Sequence, residues 1–300
     1  MRTPNFFILG APKSGTTAMY RYLVTHPQIF MSDPKEPAFF ATDYPRLKEK
    51  LPVPMNSLDD YLALFAKAET EHAIVGEAST AYLSSQAAVP GIVEFNPQSK
   101  FLAMLRNPVD FAASFHGQKL VDLAEDEPDF EKAWRLQNER AAGRLIPSTC
   151  LEPQLLQYAR IGAFGTQIER LLGHAKRDQV KVLLFEDFVR SPADAYRSVL
   201  EFLEVPDDGR SDFPLINEAK QHRFKWAYRW LMTPAGRYTR RLLNHHPIAR
   251  GLKQRILFKP KRRSPLRPAF RQELADVFRP EVKRLETLLQ RDLSHWMTSA

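Results

Sequence analysis

The chain has 300 residues, of which 44% are hydrophobic and 26% are charged, a balance typical of a soluble globular protein with a substantial core. Its formal net charge of +8 at pH 7 favours anionic partners, such as a nucleotide, a sulfated or carboxylated sugar, nucleic acid or an anionic membrane. The single cysteine, Cys150, excludes an internal disulfide, and the lack of any run of 18 apolar residues argues against a transmembrane helix.

The N-terminal segment predicts a strand, a glycine-containing loop and a helix. Residues 5–9 form an apolar run that ends at Gly10, which is typical of a buried parallel strand. This run is too short for the apolar region of a signal peptide. Apolar residues recur at helical spacing over 19–24, and His26 before Pro27 is predicted to end that helix. Because the N-terminal apolar run is too short for a signal peptide, we expect a cytoplasmic protein.

Further strands are predicted for the apolar runs at 73–77, 101–105 and 180–185. Helical patterns follow the last two runs, at 111–115 and 195–203. Strands that alternate with helices predict the α/β class, with a mostly parallel central sheet covered by helices on both faces.

The C-terminal third changes composition. Residues 218–263 are rich in Arg, Lys and His and contain few acids, and residues 268–296 return to an amphipathic helical pattern. We interpret 218–263 as a basic, mostly helical cap or insertion. Aromatic residues lie among its bases at 218–258, so three roles stay open: binding of an acidic or sugar acceptor, peripheral contact with an anionic membrane, or a solvated face over the core.

The loop after the first strand nearly matches the phosphate-binding pattern G-x-x-x-x-G-K-[ST]. Gly10 and Gly15 have the required spacing, and backbone N–H groups between a strand and a helix bind anions. Thr16 stands where a lysine is expected, Thr17 follows it, and Lys13 lies inside the loop instead. The pattern therefore favours a donor that needs less charge neutralisation than a nucleoside triphosphate, and no metal ion is expected.

With this loop, the sequence resembles the family of sulfotransferases that use 3′-phosphoadenylyl sulfate (PAPS). Residues 12–17 resemble the family's loop for the 5′-phosphosulfate. The strand at 101–105, followed by Arg106 and then by Ser114, resembles its 3′-phosphate site. The Lys-Glu-Pro-Ala-Phe-Phe run at 35–40 resembles the carbohydrate, heparan-sulfate-type branch.

Residues 76–82 resemble a fourth family element, in which many relatives have lysine where this chain has Ala78. The resemblance covers almost the whole chain and implies one domain over 1–300 with a three-layer, P-loop-like fold. It is looser between 118 and 150 and between 218 and 258.

The resemblance implies in-line transfer of a sulfuryl group from PAPS to an acceptor hydroxyl or amine, with Glu36 as general base and Lys13 stabilising the leaving phosphate. The donor-binding residues that it implies are Lys13, Ser14, Gly15, Thr16, Thr17, Arg106, Ser114, Lys261 and Arg262. The acceptor contacts that it implies are Glu77, Ser79 and Phe39.

Several alternatives remain open. Other candidate bases are His26, His116 and Glu77. The expected acceptor is a carbohydrate or glycosylated molecule, and the alternative is a small alcohol or lipid-like molecule. Two other functional classes are open. One is a P-loop kinase or nucleotide hydrolase, which the absence of lysine after Gly15 disfavours, and the other is a protein that binds anionic surfaces. No nucleic-acid-binding motif is present, so PAPS, its desulfated product PAP and the acceptor are the expected partners. The sequence predicts no oligomeric state.

Overall fold

A computed structural model describes residues 2–51, 55–214, 220–222, 258–260 and 265–298. The strands of the central sheet are β1 (Phe6–Gly10), β2 (Ile29–Met31), β3 (Ile74–Ala78), β4 (Lys100–Leu105) and β5 (Val180–Leu184). The helices are α1 (Thr16–Leu23), α2 (Leu58–Ala63), α3 (Ala88–Phe95), α4 (Pro108–Val121), α5 (Phe130–Arg135), α6 (Gln137–Ala141), α7 (Tyr158–Ile161), α8 (Phe164–His174), α9 (Phe185–Arg190), α10 (Pro192–Leu203) and α11 (Pro268–Leu289). Short 3₁₀ turns lie at Pro45–Lys50, Pro153–Leu156, Arg177–Gln179 and Ser294–Trp296.

The central sheet is parallel and has the order β2-β3-β1-β4-β5. The chain leaves β1 toward β2 on one side of the sheet, and it later passes from β4 to β5 on the other side. The strand order therefore reverses between β1 and β4. In open α/β sheets, ligands bind beyond the carboxyl ends of the strands at such a point, so the loops after these two strands lie where a ligand is expected.

Alternating side chains of the strands build two apolar layers. Phe6 and Ile8 belong to a cluster with α1 and α10, whereas Phe7 and Leu9 belong to a larger cluster with α4, α8 and α11. All four side chains are fully buried, as expected for a strand that is covered on both faces. The predicted three-layer α/β fold is confirmed.

The four predicted strands are present, within two residues of their predicted ends. The sequence did not predict β2, because three residues are too few to show a hydrophobic period. The C-terminal pattern forms α11 and then a 3₁₀ turn at Ser294–Trp296. Among the described residues, no helix is long and apolar enough to cross a membrane.

The described parts of the basic segment are two short strands, β6 (Lys220–His222) and β7 (Phe258–Pro260). They pair in antiparallel register, with His222 opposite Phe258. The rest of the predicted cap at 218–263 lies outside the described residues.

Candidate active site

The loop between β1 and α1 requires glycine at both ends. Gly10 has φ 140°, and a Cβ there would lie 2.9 Å from the carbonyl oxygen of Thr80. Gly15 has φ 89°, and a Cβ there would lie 3.0 Å from the ring of Phe188. Gly15 is also the N-cap of α1, so the first N–H groups of that helix have no partner within the helix. This loop and helix end therefore have the geometry of an anion site.

Ser14 supplies a second sign of an anion site. Its side chain is fully buried, and its Oγ makes no hydrogen bond within the described part of the chain. A buried hydroxyl without a partner costs about 1–3 kcal/mol, so such groups are rare unless a ligand satisfies them. The position fits a phosphate oxygen of a bound donor.

Lys13 is directed toward α4. It has φ 64°, and its Nζ donates a hydrogen bond to Oε1 of Gln118 at 3.3 Å. The amide nitrogen of Gln118 in turn donates to Asp122 at 2.8 Å, which fixes the amide orientation. Sequence reasoning did not identify Gln118. It lies one helical turn after Ser114, and this i, i+4 spacing is the signal that could have revealed it.

Arg106 joins the loop after β4 to the loop after β1. Its Nη1 donates to the carbonyl oxygen of Lys13 at 3.3 Å, and its guanidinium lies over the ring of Phe185, 4.7 Å from the centroid. Its Nε is buried and makes no hydrogen bond within the described residues. Burial lowers the pKa of Arg106, and Asp110 and Glu186 oppose this effect. The guanidinium is thus a desolvated cation that retains a free N–H donor.

Ser114 lies on the buried face of α4, which begins directly after the Arg106 loop. The N-cap of this helix is Asn107, whose side chain accepts from the N–H of Val109 and donates to the carbonyl oxygen of Trp296. The C-terminal turn therefore helps to hold the junction that carries Arg106. Lys261 and Arg262 lie outside the described residues.

Glu36 is the accessible carboxylate of the site. Its side chain is 50% exposed, and one oxygen lies 2.8 Å from the ammonium of Lys35. Desolvation raises the pKa of Glu36, but Lys35, Lys119 and the hydroxyl of Thr80 outweigh it, so the pKa is lowered overall. The side chain is therefore ionised at neutral pH and can accept a proton.

Thr80 links Glu36 to the phosphate-binding loop. Its hydroxyl helps to lower the pKa of Glu36, while a Cβ at Gly10 would lie 2.9 Å from its carbonyl oxygen. Lys119, which acts on Glu36 electrostatically, is the α4 neighbour of Gln118, the partner of Lys13. The structure thus brings the proposed base, the loop lysine and the α4 side chains to one edge of the sheet.

Glu77 lies behind this edge, inside the fold. Its carboxylate is fully buried and accepts hydrogen bonds from the hydroxyls of Tyr61, Tyr82 and Ser79 at 2.7, 2.9 and 2.7 Å. Burial raises the pKa of Glu77 to about 7, although these hydroxyls and Lys35 act to lower it. Tyr61 comes from α2, and no short sequence spacing could have indicated its contact with Glu77.

Phe39 lies in an aromatic cluster beside this network. Its ring stacks on that of Tyr61 with centroids 4.6 Å apart, and the ammonium of Lys48 lies 4.9 Å from its centroid. Phe39 is partly exposed, whereas Tyr61 is fully buried.

The two candidate histidines have structural partners. Nδ1 of His26 accepts from the N–H of Gln28, and its Nε2 donates to the carbonyl oxygen of Pro206 at 2.9 Å. His116 is buried on α4, and its Nε2 donates to the carbonyl oxygen of Glu127 at 2.9 Å. Both rings are bonded to backbone groups and Glu77 is fully buried, so Glu36 is the accessible one of the four candidate bases.

Residues 3–224 match the model of the sulfotransferase domain family. The chain is 28% identical over 221 residues to bifunctional heparan sulfate N-deacetylase/N-sulfotransferase 1 of Xenopus tropicalis, covering 68% of this chain and 22% of the relative. It is also 28% identical over 218 residues to bifunctional heparan sulfate N-deacetylase/N-sulfotransferase 3 of Homo sapiens, with the same coverage. The chain thus spans about a fifth of the length of these curated relatives.

A sulfotransferase from Alicyclobacillus acidocaldarius has a similar crystal structure. It superposes with a TM-score of 0.73 at 29% sequence identity, covering 99% of this chain and 100% of that chain. The match to the family model includes the loop after β1, the Lys35–Phe40 loop and the β4–α4 junction. The chain belongs to the PAPS-dependent sulfotransferase family.

Proposed function

We propose that this protein transfers a sulfuryl group from PAPS to a hydroxyl or amine of a carbohydrate or glycosylated acceptor. The observation that carries the proposal is a pair of buried, unsatisfied polar atoms, Ser14 Oγ and Arg106 Nε, on two loops joined by a hydrogen bond from Arg106 to Lys13. Two desolvated donors at a strand switch point suit a ligand with phosphate groups.

The donor would be held by both loops. In this proposal, the N–H groups at the start of α1, with Ser14, Thr16 and Thr17, bind the 5′-phosphosulfate. Arg106 and Ser114 bind the 3′-phosphate, where the fixed guanidinium provides charge-assisted hydrogen bonds. Lys261 and Arg262 are proposed as further donor contacts from the basic segment.

The transfer step requires a base on one side of the sulfur and a cation on the other. Glu36 removes the proton from the acceptor O–H or N–H while the acceptor atom forms its bond to sulfur. The bond between sulfur and the bridging oxygen of the donor breaks, and Lys13 stabilises the negative charge that develops on the leaving phosphate. The products are the sulfated acceptor, PAP and a protonated Glu36.

The acceptor class rests on similarity and on charge. The curated relatives act, by their names, on heparan sulfate, and the excess of basic residues favours an anionic glycan. We therefore propose a glycan with carboxylate or sulfate substituents as the acceptor.

The experiment is turnover of labelled PAPS by the purified protein against anionic glycans, neutral glycans, phenols and alkanols, in chelator-treated buffer. We expect label on an anionic glycan, and less label as ionic strength rises. Label on a phenol or alkanol alone would refute the carbohydrate acceptor. Hydrolysis of ATP with magnesium, without transfer from PAPS, would refute the sulfuryl-transfer proposal.

Glu36→Gln tests the base and has a matched control. Removing a general base costs about 10²- to 10⁴-fold in rate. Glu49 is also about half exposed, at 44%, and pairs with Arg46 at 2.9 Å, so Glu49→Gln removes a similar surface charge from a residue with no proposed role in the reaction. We expect Glu36→Gln to lose most turnover and Glu49→Gln to keep it. Equal rates in both variants would show that Glu36 is not the base.

A further inference from the structure

The loop that carries Glu36 has an unusual backbone. Glu36 has φ 65° and Ala38 has φ 52°, and neither residue is glycine. The left-handed conformation costs about 1–2 kcal/mol for each such residue, so the surrounding structure must hold the loop in place. The contacts that hold it therefore determine where the Glu36 carboxylate lies.

Alternate N–H groups of this loop bond to the end of β3 and to the residues after it. The N–H of Glu36 donates to the carbonyl oxygen of Ala78 at 3.0 Å. The N–H of Ala38 donates to Oγ of Ser79 at 2.9 Å, and the N–H of Phe40 donates to the hydroxyl oxygen of Tyr82 at 3.2 Å. Two of the three acceptors are thus hydroxyls, which can rotate unless their own protons are fixed.

Glu77 fixes both of these protons. The hydroxyl of Ser79 donates to Oε2 of Glu77 at 2.7 Å, and the hydroxyl of Tyr82 donates to Oε1 at 2.9 Å. Each hydroxyl then presents a lone pair to a loop N–H. Tyr61 donates to Oε1 as well, at 2.7 Å, but no hydrogen bond joins its hydroxyl to the loop in the described structure.

We infer that Glu77 is a positioning residue for sulfuryl transfer: through the hydroxyls of Ser79 and Tyr82, it fixes the loop that holds Glu36. This role differs from the acceptor contact that the sequence suggested, because the carboxylate is fully buried and both of its oxygens are bonded. The inference rests on the proposed function, in which Glu36 is the base.

The tyrosine pair gives a controlled test. Tyr61 and Tyr82 are both fully buried, and each donates to the same oxygen of Glu77. Tyr82→Phe and Tyr61→Phe thus remove the same group, but only Tyr82→Phe also removes an acceptor for a loop N–H. The assay measures kcat and KM for transfer from PAPS and, separately, the Kd of PAP, with the acceptor identified by the panel.

We expect Tyr82→Phe to lower kcat by about 10- to 100-fold, the effect of a misplaced catalytic group, and to leave the Kd of PAP unchanged. Tyr61→Phe should keep kcat within about twofold, because its hydroxyl stabilises Glu77 without touching the loop. Ser79→Ala should resemble Tyr82→Phe. A purely structural network would lower the stability of both tyrosine variants and leave both kcat values unchanged.

Glu36→Gln separates failure of this inference from failure of the proposed function. If Glu36→Gln keeps the wild-type rate, the assignment of the base is wrong. If Glu36→Gln loses activity while Tyr82→Phe and Tyr61→Phe have equal kcat, the positioning role of Glu77 is overturned and the base assignment stands.

Discussion

Replacing Glu77 by glutamine should change how the stability of the protein depends on pH. In the folded protein, burial raises the pKa of Glu77 from 4.5 to about 7, against the hydroxyls of Tyr61, Tyr82 and Ser79 and the charge of Lys35. Between these two pKa values the folded state binds more protons than the unfolded state. The free energy of unfolding should therefore fall as pH rises through this window.

The size of the effect follows from the shift. At about 1.4 kcal/mol per pKa unit, a rise from 4.5 to about 7 corresponds to about 3 kcal/mol when Glu77 is fully ionised. Part of this loss is already present at pH 5, so the expected change between pH 5 and pH 8 is about 2 to 3 kcal/mol. Glutamine cannot ionise, so Glu77→Gln removes this pH-dependent loss of unfolding free energy. The hydrogen bonds that the substitution changes have a similar cost at both pH values.

The assay is urea unfolding of the wild type and Glu77→Gln at pH 5 and pH 8, with equal slopes checked first. We expect the variant to gain about 2 to 3 kcal/mol relative to the wild type between the two pH values. A constant difference within about 0.5 kcal/mol, the usual limit for such comparisons, would show that the three hydroxyls fully compensate burial. A change of the opposite sign would show that they lower the pKa of Glu77 below 4.5.

The remaining predictions concern the donor site. Arg106→Ala should weaken PAP binding by about 10- to 100-fold, since a charged hydrogen bond contributes about 1.5–3 kcal/mol, and calorimetry measures this. Lys13→Ala should lower kcat by about 10²- to 10³-fold with a smaller change in the Kd of PAP, because the negative charge on the leaving phosphate develops only in the transition state. An unchanged kcat would contradict the proposed role of Lys13. Gly15→Ala should destabilise the protein by about 1–3 kcal/mol more than Gly143→Ala. Both residues have positive φ, but only a Cβ at Gly15 would meet Phe188. Equal unfolding free energies of the two variants would contradict this prediction.

Local patterns were sufficient to predict four of the five strands of the central sheet and the loops that follow β1 and β4. The apolar run at 5–9 and the spacing of Gly10 and Gly15 identify β1 and the loop after it, because both features are contiguous in sequence. Arg106 follows a second such run, and a parallel sheet brings its loop to the same edge. The contact between Arg106 and Lys13 therefore follows from the parallel arrangement of the predicted strands.

The network around Glu77 could not be predicted in the same way. Tyr61 comes from α2, which precedes β3 by ten residues, and its contact with Glu77 depends on how the aromatic cluster folds over the sheet. The sequence suggested Glu77 as an acceptor contact or a base because it ends a strand. Full burial favours the inferred positioning role over these two roles, and burial at a strand end depends on contacts that are distant in sequence.

Thr80 explains why one edge of the sheet can carry both halves of the proposed reaction. Its carbonyl oxygen lies 2.9 Å from the position that a Cβ of Gly10 would take, so a side chain at position 10 would displace Thr80. Its hydroxyl also helps to lower the pKa of Glu36, so this displacement would change the surroundings of the proposed base. The absence of a side chain at Gly10 therefore allows the close packing of Thr80 between this loop and the surroundings of Glu36.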